Sequence, residues 1–124
     1  MRNWSTESAA DTEDLGRRLA DELRPSGTLL LYGDLGSGKT VLARGVAAGL
    51  GIDPEQVQSP TFTLVREHSG AGGRLLHVDL YRLEPAEVAG IGLEELLEEN
   101  AVKVVEWAER LPRGLGGDLR LEPP

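Results

Sequence analysis

The chain has 124 residues, enough for one domain with a single core and too few for a second. Its 13 basic and 21 acidic residues leave a net charge of −8, which favours solubility and argues against a broad nucleic-acid-binding face, so any RNA would be reached through a partner. It has no cysteine for disulfides or thiolate metal sites, no apolar leader, and no run near the ~18 apolar residues that span a bilayer, so a cytoplasmic protein without membrane attachment is expected.

Ser8-Ala9-Ala10-Asp11 predicts a helix start, with Ser8 as cap and Asp11 in place of the usual glutamate. Leu15, Leu19 and Leu23 recur every four residues, so this helix is amphipathic, covers the sheet and ends before Pro25. A strand follows at Thr28 to Tyr32. Next come Gly33-Asp34-Leu35-Gly36-Ser37-Gly38-Lys39-Thr40, a complete G-x-x-x-x-G-K-[ST] phosphate-binding loop, and a helix that stops near Gly49 to Gly51. Ser59 to His68 is predicted to be extended, because Pro60 forbids a helix interior and the following residues are β-branched or aromatic. With Ser69 to Gly73 as a flexible turn and Arg74 to Leu83 as the return strand, this makes a hairpin. A short helix is expected after Pro85 and another over about Leu93 to Glu99, where Leu93, Leu96 and Leu97 face the core and Glu94, Glu95, Glu98 and Glu99 form a solvated face. Ala101 to Trp107 is a further apolar strand, and Asp118 to Leu121 can add a short last one. The fold class expected is α/β: a three-layer P-loop nucleoside triphosphate hydrolase fold over residues 1–124, with a mixed sheet and a hairpin insertion.

The chemistry of the loop explains its residue types. Gly33, Gly36 and Gly38 let the backbone approach an anion and point consecutive N–H groups at phosphate oxygens, while Asp34, Leu35 and Ser37 complete the turn. The helix beginning near Gly38 adds its unpaired N–H groups and the positive end of its dipole. Lys39 would neutralise the β- and γ-phosphates, and the Thr40 hydroxyl would be a ligand to the Mg²⁺ that bridges them. A carboxylate must hold that metal or its water, and two apolar strands end in one: Leu75 to Asp79 and Val102 to Glu106. The pattern alone does not divide the two roles between Asp79 and Glu106. Thr61 and Thr63, beyond Pro60, can sense the γ-phosphate or serve as ordinary strand residues. His77 is expected to pack or hydrogen-bond within its strand, Trp107 to stack on a ligand or partner or equally to sit in the core or an interface, and Arg44, Arg66 and Arg82 are available to phosphate.

The blocks Gly33 to Thr40, Ser59-Pro60-Thr61-Phe62-Thr63-Leu64-Val65, His77-Val78-Asp79-Leu80-Tyr81-Arg82 and Val105-Glu106-Trp107 resemble, in order and spacing, the bacterial TsaE ATPases. The resemblance implies a small ATP- and Mg²⁺-dependent ATPase acting with the TsaB and TsaD proteins to make threonylcarbamoyladenosine at position 37 of tRNAs that read codons beginning with A. Within that family the ATPase sustains repeated turnover and does not transfer the threonylcarbamoyl group. The resemblance assigns Thr40 and Glu106 to Mg²⁺, makes Asp79 essential for hydrolysis, makes the Ser-Pro-Thr segment switch-like, and puts Ser8 and Ala9 by the adenine. Family members carry a longer tail with a closing β-hairpin, so the stretch from about residue 112 is short by comparison. Two other readings stay open: a nucleotide-gated interaction subunit with incidental hydrolysis, and a small nucleoside or small-molecule kinase. The kinase reading is disfavoured by the lack of an arginine-rich lid insert.

Overall fold

The computed structural model describes residues 2–3, 8–32, 38–57, 65–80, 85–88, 92–111 and 116–122. The chain runs β1 (Arg2–Asn3), α1 (Ala9–Leu23), β2 (Thr28–Leu31), α2 (Gly38–Gly49), β3 (Val65–Gly70), β4 (Gly73–Asp79), α3 (Pro85–Val88), α4 (Leu93–Leu97), β5 (Val102–Glu106) and β6 (Leu119–Glu122). Among the described residues the strands make one mixed sheet in the order β1-β6-β2-β5-β4-β3, in which only the β3–β4 pair is antiparallel.

Every residue of β2 and β5 is buried, as expected of central parallel strands covered on both faces. Strand alternation sends Leu29, Leu31, Leu75, Val102 and Val104 to one face, where they meet Leu19 and Leu23 of α1 and Leu42, Ala43 and Val46 of α2. Leu30, Val78 and Val105 point the other way, onto Leu93, Leu96 and Leu97 of α4. Helices therefore cover both sides, giving three layers.

The predicted helix start is present: the Ser8 hydroxyl accepts a hydrogen bond from the Asp11 N–H at 3.1 Å and caps α1. Ser8→Ala is expected to lower stability by about 1 kcal/mol. A urea midpoint that falls at unchanged slope would register it.

Three differences from the expected elements have local causes. The hairpin turn is Ala71-Gly72 alone, because Ser69 pairs with Arg74 and Gly70 with Gly73. Its tip is docked on the end of α2, where the Gly72 N–H donates to the Leu50 carbonyl at 2.8 Å; a side chain at Gly70 would strike the Leu50 carbonyl oxygen at 2.6 Å. Second, β5 stops at Glu106, and Trp107 takes a left-handed conformation (φ 59°, ψ 47°) that turns the chain off the sheet. Such a conformation costs a bulky residue about 1–3 kcal/mol, which packing of the indole against the α4-side core offsets. Third, β6 runs from Leu119 to Glu122. The Asp118 carboxylate fastens it, accepting from the Thr28 N–H at 2.8 Å while the Asp118 N–H donates to the Thr28 carbonyl at 2.9 Å.

Lys103 is buried at the amino end of β5. Its Nζ donates to the carbonyls of Ser26 (2.7 Å) and Glu99 (2.8 Å), tying two loops together. Burial lowers its pKa from the ordinary lysine value, against the opposing pull of Asp118 and Glu99.

Candidate functional site

β2, β4 and β5 are parallel neighbours, so their carboxyl ends lie along one edge of the sheet. The ladder sets Leu31 beside Glu106 and Glu106 beside Asp79. Glu106 therefore lies between the strand that leads into Gly33 and the strand that ends in Asp79. Alternation puts Asp79 and Glu106 on the face that carries Val104 and Leu75, the face packed by α2. Adjacent strands are about 4.8 Å apart, so two carboxylates arrive next to each other under the helix that follows the glycine loop.

α2 opens with Gly38, Lys39 and Thr40, and its Leu42, Ala43 and Val46 pack on that face. Residues Gly33, Asp34, Leu35, Gly36 and Ser37 lie outside the described part, as do the side chain of Lys39 and the whole Ser59-Pro60-Thr61 segment with Thr63. Of the predicted site residues, the structure sets Asp79 and Glu106 side by side, on the sheet face that α2, with Thr40 in its first turn, covers.

Glu106 is 1 % exposed, and its Oε2 is hydrogen-bonded by Nε2 of the fully buried His77. A buried carboxylate held by an N–H donor, with a second carboxylate beside it, is an arrangement of hard oxygens suited to Mg²⁺, which binds through one or two carboxylates together with nucleotide phosphates. The donor set thus fits the metal that the loop motif implies. Thr40 and Glu106 would hold it.

Arg44 is bonded to backbone through one of its nitrogens. Its Nε donates to the Val57 carbonyl at 3.1 Å and ties α2 to the stretch just before residues 58–64. Arg66 is exposed on β3, and Arg82 lies outside the described residues. The Arg110 guanidinium sits 5.8 Å from the centre of the Trp107 ring, beyond the end of β5.

Sequence reasoning did not assign His77 its partner. The alternation Leu75-x-His77-x-Asp79 already placed the imidazole on the face of Asp79, and that was the available signal. The glycines that let α1 and α2 meet also went unread. A side chain at Gly16 would lie 2.5 Å from the Leu42 carbonyl oxygen, and one at Gly45 would strike the carbonyl oxygen of Glu13. Among the described residues, no helix is long and apolar enough to cross a membrane.

Residues 6–122 match the sequence model of one family, threonylcarbamoyl adenosine biosynthesis protein TsaE. Among curated relatives, the tRNA threonylcarbamoyladenosine biosynthesis protein TsaE of Nostoc sp. PCC 7120 is 44% identical over 105 residues, covering 82% of this chain and 64% of its own length. The Bacillus subtilis protein of the same name is 40% identical over 114 residues, covering 89% of this chain and 71% of its own. The chain thus spans about two thirds of the length of these relatives. In structure, Bacillus subtilis YdiB superposes with a TM-score of 0.67 at 34% identity, over 89% of this chain and 69% of that one. With the three layers and mixed sheet described above, this makes the fold the α/β P-loop type.

Proposed function

The chain belongs to the TsaE family of threonylcarbamoyl adenosine biosynthesis proteins, and from that premise we propose that it is the Mg²⁺-dependent ATPase of tRNA threonylcarbamoyladenosine formation. It works in the cytoplasm with TsaB and TsaD, sustaining repeated turnover at position 37 of tRNAs that read codons beginning with A. It meets tRNA through those partners, in keeping with its net charge of −8.

One observation carries the reading: Glu106 stands in register with both Leu31, which leads into Gly33 to Thr40, and Asp79. Two carboxylates at the end of a phosphate loop make a hydrolytic half-site, because one is available to the metal and the other to water. Backbone N–H groups of the loop and of the α2 amino end hold the phosphates, and Lys39 adds a positive charge. Thr40 and Glu106 would hold Mg²⁺, which when bound would supply Lewis-acid stabilisation of charge on the phosphates. Asp79 orients the attacking water and accepts its proton. The Thr61 segment follows the state of the γ-phosphate and presents it to the partner chains.

ATP turnover by the purified chain tests this reading. Hydrolysis is expected to be slow alone and faster on addition of TsaB and TsaD, because the isolated site lacks groups that finish it. Lys39→Ala is expected to lose nucleotide binding. Turnover that ignores both partners would reject the role in the complex, and Lys39→Ala binding like the parent would reject the site itself.

A further inference from the structure

His77 is fully buried, is in register with Val104 across β5, and shares its face with Leu75. An aliphatic residue would suit those neighbours, and an imidazole there carries a desolvation penalty that must be offset. Only half of it is met: Nε2 is bonded to Glu106, whereas Nδ1, equally buried, has no hydrogen-bond partner among the described residues. A group retained for packing would not be expected to leave a ring nitrogen unsatisfied. The terminal torsion of a glutamate is soft and broad, so a carboxylate is oriented by its donors more than by its own rotamer preference.

We propose that His77 is a positioning residue for Glu106, its Nε2–H holding one carboxylate oxygen so that the group is presented to Mg²⁺ in a single orientation. This rests on the reading of Glu106 as a metal ligand. His77 itself touches neither nucleotide nor metal. Its share is to narrow the orientations of the Glu106 carboxylate before the cation binds, as outer partners of metal-ligating side chains do.

The test is metal-dependent binding of a fluorescent, non-hydrolysable ATP analogue to the full chain, titrated with Mg²⁺ and compared with binding in chelator. His77→Leu is expected to raise the Mg²⁺ concentration for half-maximal effect about tenfold, with binding in chelator unchanged. In His77→Gln the side-chain amide nitrogen reaches about where Nε2 was, and the requirement is expected to return to within about threefold of the parent. A parental metal requirement in His77→Leu would overturn the proposal, as would a His77→Gln variant that behaves like His77→Leu. Should His77→Leu not fold, His77→Asn, whose shorter side chain does not reach Glu106, takes its place against His77→Gln, and equal requirements in the two would overturn the idea. Glu106→Gln separates the levels. If it keeps the parental metal requirement while Lys39→Ala loses nucleotide, the metal assignment falls and the His77 role with it. If Glu106→Gln shifts the requirement and His77→Leu does not, only the His77 role falls.

Discussion

Glu106→Gln is expected to lower ATP turnover by roughly 10²- to 10⁴-fold, the scale attached to a positioned charged group at a phosphoryl-transfer site. Two features of the structure make the expected loss specific to function. Glutamine keeps the shape of the side chain and can still accept the hydrogen bond from His77 through its amide oxygen, so the buried contact survives. What disappears is one of two negative charges set side by side at the ends of β4 and β5. Like charges in adjacent register repel, so the metal-free protein is expected to lose no stability and the variant to melt at or above the parental temperature. Nucleotide binding without metal should change little, because on the proposed reading the loop amides and Lys39 would meet phosphate independently of Glu106. A variant that melted well below the parent would place Glu106 in the structural framework. One that folded and hydrolysed ATP normally would leave Asp79 as the candidate of the two strand-end carboxylates.

The fold was legible in sequence where the signal is local. Leu15, Leu19 and Leu23 mark α1 by their spacing, Ser8 marks its start, and the apolar runs of β2 and β5 are long enough to be strands buried on both faces. Asp79 and Glu106 were legible for the same reason, since a carboxylate ending an apolar strand is itself a local pattern. Their convergence at one sheet edge follows from a parallel sheet, but their adjacent register was not legible. Register between β4 and β5 is set by pairing across a long connection, and nothing near either residue encodes it. The same holds for His77, whose role depends on a partner two strand positions along in another element. The apolar run from Ala101 to Trp107 reads as one strand, yet the chain leaves the sheet at Trp107, whose indole packs against the α4-side core. The Thr61 expectation lies outside the described residues.

Gly45→Ala is expected to lower stability by about 2–3 kcal/mol, near the top of the range for overpacking, even though alanine is favoured over glycine in a helix by about 1 kcal/mol. The sign follows from what the new methyl would meet. It would strike the Glu13 carbonyl oxygen and lie 2.9 Å from the Gly16 Cα, and both are backbone atoms that no rotamer change can move. α1 would have to lift away from α2, opening the interface that Leu19, Leu23, Leu42 and Val46 fill. For a chain of this size such a loss is a fall of roughly 10 °C in melting temperature. Gly116→Ala is the control, because there the nearest atom is the end of the Arg120 side chain at 3.6 Å, and its effect is expected within about 0.5 kcal/mol. Gly16 faces the same crossing, where a methyl would meet Gly45 Cα and Val46 N at 2.8 Å. Once one helix has been pushed off, the second methyl finds space already opened, so Gly16→Ala with Gly45→Ala should cost less than the two singles combined. Additive losses would mean that each glycine answers to a separate constraint. The crossing also fixes the amino end of α2, which carries Gly38 and Thr40, against α1. Gly45→Ala assayed well below its melting temperature is therefore expected to bind ATP more weakly than the parent, and unchanged affinity would confine the seam to stability.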